Sequence, residues 1–251
     1  YIDSPYWKEW VTNAGVGSVR TRIYYKELAQ HPIWLPPLFE QRAIAEILSS
    51  IDDKTANDKA INHHLEQMAQ AIYKKFFVDN YEIGKWKECR LGEICEFAYG
   101  KGLKENDRRS GLIGVYGSNG LIGWHDELLV KGPGIVVGRK GNPGTVTWVA
   151  TDFYPIDTAF YVAKKKADTS LYWLFYTLKF LDLPNLSADS AVPGLNRNIA
   201  YLSFVLYPPE EIMHEFDELV TPTYEAIHAN SIESRSLATL RDTLLPRLMS
   251  G

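Results

Sequence analysis

Leu35-Pro36-Pro37-Leu38-Phe39-Glu40-Gln41-Arg42-Ala43-Ile44 opens a stretch that reaches Ile83 with no glycine and no further proline. Two prolines suit a helix start, where a missing N–H costs nothing and φ is already near the helical value. Ile44, Leu48, Ile51, Thr55, Asp58, Asn62, Leu65, Ala69, Ile72 and Phe76 then recur at alternating spacings of four and three. That is a heptad seam of about 33 residues, or roughly 50 Å of helix. Its polar middle, Thr55, Asp58 and Asn62, costs stability but sets register and partner orientation.

The signature occurs twice. Tyr207-Pro208-Pro209 stands 172 residues after the first proline pair, and Phe216, Val220, Thr223, Ile227, Asn230, Ser234, Leu237, Arg241, Leu244 and Leu248 follow at the same spacings. Aligned from the prolines, Ile44 meets Phe216, Leu48 meets Val220, Leu65 meets Leu237, Ile72 meets Leu244 and Phe76 meets Leu248. Pro222 is expected to kink or split the second helix, and Pro246 and Gly251 to close it. Such stripes also arise from ordinary packing on a globular core. Two sustained copies favour helix against helix, with Ile44, Leu48, Ile51, Leu65, Ile72, Phe76, Ile227, Leu237, Leu244 and Leu248 at the contact.

Between the helices the period changes. Short apolar runs at Arg90–Phe97, Leu112–Tyr116, Gly134–Arg139, Thr145–Val149 and Ala159–Ala163 are separated by Asn119-Gly120, Gly132-Pro133-Gly134 and Asn142-Pro143-Gly144. Alternation broken by turn residues predicts strands. A helix is expected over Ser170–Leu181 and a strand near Ala200–Tyr207. The fold class is therefore α+β: a mainly β module flanked by two long helices. Because the module begins and ends near one place, those helices are expected to pair antiparallel. Residues 1–34 read as mixed structure whose aromatics, Tyr6, Trp7, Trp10, Tyr24, Tyr25 and Trp34, need a surface to bury against.

The 251 residues suffice for one or two domains with real cores. No apolar run approaches the ~18 residues of a membrane span. Tyr1 starts without methionine, basic head or apolar core, so a fragment without a signal peptide is expected, in a reducing cytoplasm. Cys89 and Cys95 fit neither a zinc pattern nor a redox pair. The net charge of −4 is unevenly placed: residues 85–166 hold 13 Lys and Arg against 9 Asp and Glu, the remainder 14 against 22. The middle suits an anion and the flanks something else.

Catalytic signatures are missing. Gly138-Arg139-Lys140-Gly141-Asn142-Pro143-Gly144-Thr145 lacks the lysine after the last glycine that a phosphate loop needs, and a strand follows it. A tight hairpin carrying two cations is the expected structure. Ser4-Pro5-Tyr6-Trp7 lacks the second proline of the amino-methyltransferase tetrapeptide. His31, His63, His64, His125, His214 and His228 have no metal-ligand spacing. No cofactor, metal or catalytic residue is expected. What remains is a binding surface: Lys101, Lys104, Arg108, Arg109, Arg139, Lys140 and Arg197, with Tyr116, Ser118, Asn119 and Asn142, and with Tyr99 beside them. Arg and Lys neutralise phosphates, Arg reads guanine, and Asn reads adenine through paired hydrogen bonds. Taken singly, each of these residues reads more readily as a solvated loop residue than as a base contact.

With helix, module and helix in place, the chain resembles the specificity subunits of type I restriction-modification systems. The resemblance rests on Leu35–Ile44 and its helix, on Trp86-Lys87-Glu88-Cys89-Arg90-Leu91-Gly92-Glu93-Ile94 and on Tyr116-Gly117-Ser118-Asn119-Gly120. Val136-Val137-Gly138-Arg139-Lys140-Gly141, Asp157-Thr158 and the end, Leu240-Arg241-Asp242-Thr243-Leu244-Leu245-Pro246-Arg247-Leu248-Met249-Ser250-Gly251, complete it. It implies a remnant of a first target-recognition domain at 1–34, where Gly17-Ser18 through Arg22 and Ile33-Trp34 match such a domain's end. A spacer helix at 35–84, a target-recognition domain at 85–207 and a second spacer at 208–251 follow, so the chain looks like the carboxyl-terminal half of a subunit. The resemblance further implies a non-catalytic subunit that binds one half-site of double-stranded DNA and docks methyltransferase subunits, with an endonuclease-translocase subunit joining them. A homodimer of two halves is a further expectation. Against these stand a self-contained nuclease or methyltransferase, and a coiled-coil adaptor whose β module binds protein.

Overall fold

A computed structural model describes residues 5–14, 22–32, 35–80, 82–186 and 194–250. In chain order it holds helices α1 (Pro5–Ala14), α2 (Tyr25–Ala29) and α3 (Leu38–Phe77), strand β1 (Lys87–Arg90), the helical turn α4 (Leu91–Ile94) and strands β2 (Cys95–Tyr99), β3 (Ile113–Gly117), β4 (Gly120–His125), β5 (Gly134–Gly138), β6 (Val146–Val149), β7 (Phe153–Pro155) and β8 (Ala159–Lys164). Helix α5 (Leu171–Phe180), the turn α6 (Arg197–Ala200), strand β9 (Phe204–Tyr207) and helix α7 (Glu210–Ser250) complete it. Gly17-Ser18 and Ile33-Trp34 lie outside the described residues. The chain forms two compact units, one of residues 1–63 with 229–251 and one of residues 64–228.

In the first unit the helices run antiparallel. Arg241 Nη1 lies 2.9 Å from Asp52 Oδ1, Lys54 Nζ 2.9 Å from Glu233 Oε2, Ser234 Oγ donates to Asp58 Oδ2 at 3.3 Å and Asn230 Nδ2 to Asn62 Oδ1 at 2.8 Å. As one partner's number rises from 52 to 62, the other's falls from 241 to 230. Asp58, 1% exposed, also takes the Lys54 ammonium. The Arg241–Asp52 and Lys54–Glu233 pairs are solvent-exposed and screened by water, so their work is alignment rather than stability. Thr55 behaves differently, donating to its own Ile51 carbonyl at 2.9 Å. Ile51 is buried, whereas Ile44, Leu48, Leu237, Leu244 and Leu248 are half-buried.

The second unit holds the β module. Strands β2, β8, β5 and β6 form an antiparallel sheet in that order; β4, β3 and β7 form a second, with β3 and β7 parallel. Strand β1 pairs antiparallel with β9, from Lys87 opposite Tyr207 to Arg90 opposite Phe204. The module's first and last strands are therefore neighbours. Phe97, Ile135, Val137, Phe160, Trp173, Leu174, Tyr176 and Phe216 form the core, with Ala69, Tyr73 and Phe77 of α3 and Val220 and Tyr224 of α7. Tyr73 donates to or accepts from Thr177 at 3.0 Å, and burial pushes its hydroxyl pKa up to about 12. Leu65, Ile72, Phe76 and Ile227 are half-buried.

Several expectations need correction. Helix α7 is not split at Pro222, and Pro246 does not end it. Pro222 is exposed, so water can take the carbonyl it leaves unpaired, while Val220 and Tyr224 on either side are buried and hold the turn. The run Arg90–Phe97 is interrupted by the turn α4, whose Leu91 and Ile94 are both buried. Strands β4 and β7 escaped the sequence reading, and Ala200 ends a helical turn rather than beginning a strand.

Candidate nucleic-acid interface

Five chain segments meet at one end of the β module: the end of β2, the β3–β4 turn, the β5–β6 loop, the β7–β8 turn and the start of α6. The β5–β6 loop is the tight cation-bearing hairpin that the sequence predicts. Gly141 and Gly144 adopt φ of +85° and +81°, a region that favours glycine, and a Cβ on Gly144 would lie 2.4 Å from Pro184 N. The backbone N–H groups of Arg139 and Lys140 both donate to Thr158 O, at 2.9 and 3.1 Å, and Leu195 N donates to Arg139 O at 2.9 Å. The loop is thus tied on both flanks.

Arg139 and Arg197 share one platform. Their guanidinium carbons lie 4.8 and 4.6 Å from the Tyr99 ring centroid. Arg139 Nη1 donates to Asp157 O at 3.0 Å, and Arg197 Nη1 to Phe97 O at 3.1 Å. Among the described residues neither arginine, nor Lys101 or Lys140, forms an ion pair with a carboxylate. Two stacked guanidinium groups with donors to spare and no counter-charge suit a phosphate.

Amides lie beside them. Asn142 Nδ2 donates to Asn119 Oδ1, and Thr145 Oγ1 lies 2.5 Å from Ser118 O and 3.0 Å from Asn142 O. Lys101 follows Tyr99 closely, its N–H donating to Pro155 O at 3.0 Å. Lys101, Ser118, Asn119, Arg139, Lys140, Asn142 and Arg197 therefore come together.

The other sequence candidates stand apart. Arg109 is engaged by Asp126 at 2.7 Å and Glu127 at 2.5 Å, near the far end of β4, and its hydrogen bond holds the Asp126 carboxyl below its ordinary range. Arg108 Nη1 donates to Ile122 O at 2.9 Å along the same strand. Lys104 is exposed and starts a turn in which Asp107 N donates to its carbonyl at 3.0 Å. Tyr116 packs edge-on against Phe153, and burial raises its hydroxyl pKa. Conversely Tyr99, named only as a neighbour of the cations, is their platform. Its signal was an aromatic two residues past the inward Phe97, next to Gly100-Lys101-Gly102. Thr145 and Thr158, which brace the loop, stood out in the sequence only as members of the Gly138–Thr145 and Asp157-Thr158 segments, not as site residues.

Among the described residues no group of three or more His, Cys, Asp or Glu side chains is placed to hold a metal. Both cysteines are buried and free, with the Cys95 thiol pKa pushed up to about 12 by burial. No helix among these residues is long and apolar enough to cross a membrane.

Residues 6–67 match the model of the type I restriction modification DNA specificity domain. The type I restriction enzyme MjaIX specificity subunit of Methanocaldococcus jannaschii is 24% identical over 289 aligned positions, covering 97% of this chain. The chain spans 65% of that relative's length. The HindI specificity subunit of Haemophilus influenzae is 34% identical over 89 positions, 34% of this chain and 19% of that protein. The crystal structure of the type I restriction-modification S subunit from M. genitalium superposes with a TM-score of 0.66 at 21% identity, over 97% of this chain and 70% of that one. That likeness shows the fold, with two long helices and a β module between them in sequence. Residues 6–67 thus match a type I restriction modification DNA specificity domain, and the chain as a whole is similar in sequence to specificity subunits of type I restriction enzymes.

Proposed function

We propose that this chain is a sequence-specific DNA-binding subunit without chemistry of its own, reading one short half-site and docking methyltransferase subunits. An endonuclease-translocase subunit would join that complex. The observation that carries the reading is the Arg139–Tyr99–Arg197 stack, two arginines without carboxylate partners beside two exposed amides. Cations set against phosphates position a protein on a duplex, and neighbouring polar side chains then read base edges. In this reading 85–207 is the recognition domain, 35–84 and 208–251 are spacers, and 1–34 belongs to a first recognition domain.

Salt titration tests it. Affinity for duplex DNA should fall linearly on a log–log plot, with a slope of about −0.9 per phosphate contacted. A slope near zero, or equal affinity for an acidic protein surface, would favour the protein-binding adaptor instead.

Two copies are further proposed to pair, each helix standing in for its repeat-equivalent. Leu35, just before α3, and Leu38, Phe39 and Ile47 in its first turns are 70%, 61%, 70% and 47% exposed. Apolar surface gathered in this way calls for a cover. A two-fold pair would carry two identical recognition domains and prefer a split palindrome. Sedimentation should show a dimer, and a monomer at high concentration without methyltransferase would refute the pairing.

A further inference from the structure

Asn119 lies in the β3–β4 turn of one sheet and Asn142 in the β5–β6 loop of another, and both side chains are exposed. Their hydrogen bond is not what joins the two loops. Thr145 Oγ1 already lies between Ser118 O at 2.5 Å and Asn142 O at 3.0 Å, and a Cβ on Gly141 would come 3.3 Å from Ser118 Oγ. With the backbones already in contact, the amide–amide bond has a different consequence: it holds two otherwise free side chains in one orientation.

An amide offers two N–H donors and a carbonyl with two lone pairs. After Asn142 Nδ2 donates to Asn119 Oδ1, each amide still has at least one N–H and one lone pair. A donor beside an acceptor complements adenine in the major groove, whose N6 amino group donates and whose N7 accepts. The neighbouring cations Lys101, Arg139, Lys140 and Arg197 carry donors only and cannot meet N6. Asn196, the amide next to Arg197, is already used: its Oδ1 accepts from Asn198 N at 3.0 Å and Ile199 N at 3.4 Å to cap α6. Fixing side chains before binding removes an ordering cost that the complex would otherwise carry.

We infer that the Asn119–Asn142 pair, aligned by Thr145, is an adenine-reading element of the half-site. This rests on the DNA-binding reading above. It divides the labour at one end of the module, with the stacked arginines holding phosphate and the amide pair holding a base edge.

The test uses the full chain assembled with methyltransferase subunits and a pool of duplexes randomised over the half-site. Wild type, Asn119→Ala and Asn142→Ala are each used to select bound sequences. One adenine position in the wild-type consensus should become degenerate in the variants while the remaining positions persist. Affinity for the consensus should fall roughly 5- to 150-fold, the discrimination of one good bidentate contact. The salt slope should not change, because no phosphate contact is lost. Replacing that adenine by 7-deazaadenine removes N7 and should weaken wild type but not the variant that has lost the contact. Equal thermal midpoints for the three proteins exclude misfolding. An unchanged consensus in both variants overturns the adenine reading and leaves DNA binding standing, as does a variant whose only change is a shallower salt slope. A wild-type complex that selects no consensus overturns both readings.

Discussion

Changing Arg139 and Arg197 together to alanine should weaken DNA binding roughly 30-fold at 0.15 M salt, since two lost phosphate contacts flatten the log–log salt slope by about 1.8. Both guanidinium groups are held in place before any ligand arrives, by the Tyr99 ring and by the carbonyls of Asp157 and Phe97. Little side-chain entropy is then left to lose on binding, which is why these two arginines outrank lysines on flexible stems. The loss should be nearly uniform across DNA sequences, because phosphates carry no base identity. Arg109→Ala is the matched control. Its charge is already met by Asp126 and Glu127, so its removal should leave affinity and slope close to wild type. Filter binding or fluorescence anisotropy at several salt concentrations reads all three proteins. Equal slopes for wild type and the double variant would remove the stack from the interface.

Phe216→Ala should cost about 3–5 kcal/mol, the usual range for emptying a buried phenylalanine site. Domains of this kind have a total stability of about 5–15 kcal/mol, so the recognition module of this variant should unfold far earlier in denaturant. Phe216 is 0% exposed, and its ring centroid lies 6.0 Å from Tyr73, 6.0 Å from Phe76, 5.0 Å from Phe77 and 6.3 Å from Tyr176. The aromatic ring, carried by α7, is enclosed by rings of α3 and α5, none of which can collapse into the vacancy without breaking other aromatic contacts. Ile44 occupies the equivalent place in the first copy of the repeat and is only half-buried. Ile44→Ala should therefore cost clearly less. Urea unfolding followed by tryptophan fluorescence compares the two, and equal midpoints would mean that the repeat positions are energetically alike.

The sequence by itself determined the elements whose causes are local. Prolines at 36 and 37, then no glycine or proline, produce α3, and apolar residues at spacings of four and three place one face against a partner. The polar middle of that seam was legible for the same reason: Asp58 and Asn62 occupy seam positions, so they had to meet polar partners, and they meet Ser234 and Asn230. Asn142-Pro143-Gly144 marked the loop that carries Arg139 and Lys140. Tertiary structure alone decided the rest. Pro222 broke a local rule without ending α7, because buried neighbours outweighed one missing hydrogen bond on the wet side. Arg108, Arg109, Arg139 and Arg197 are alike as residues in loops or at helix starts, and nothing local separates them. The β3–β4 hairpin folded Asp126 and Glu127 back onto Arg109, and packing of segments distant in sequence brought Tyr99 to Arg139 and Arg197. A charge's role depends on whether an opposite charge lies within a few ångströms, and that neighbour is chosen by the fold rather than by the residues on either side.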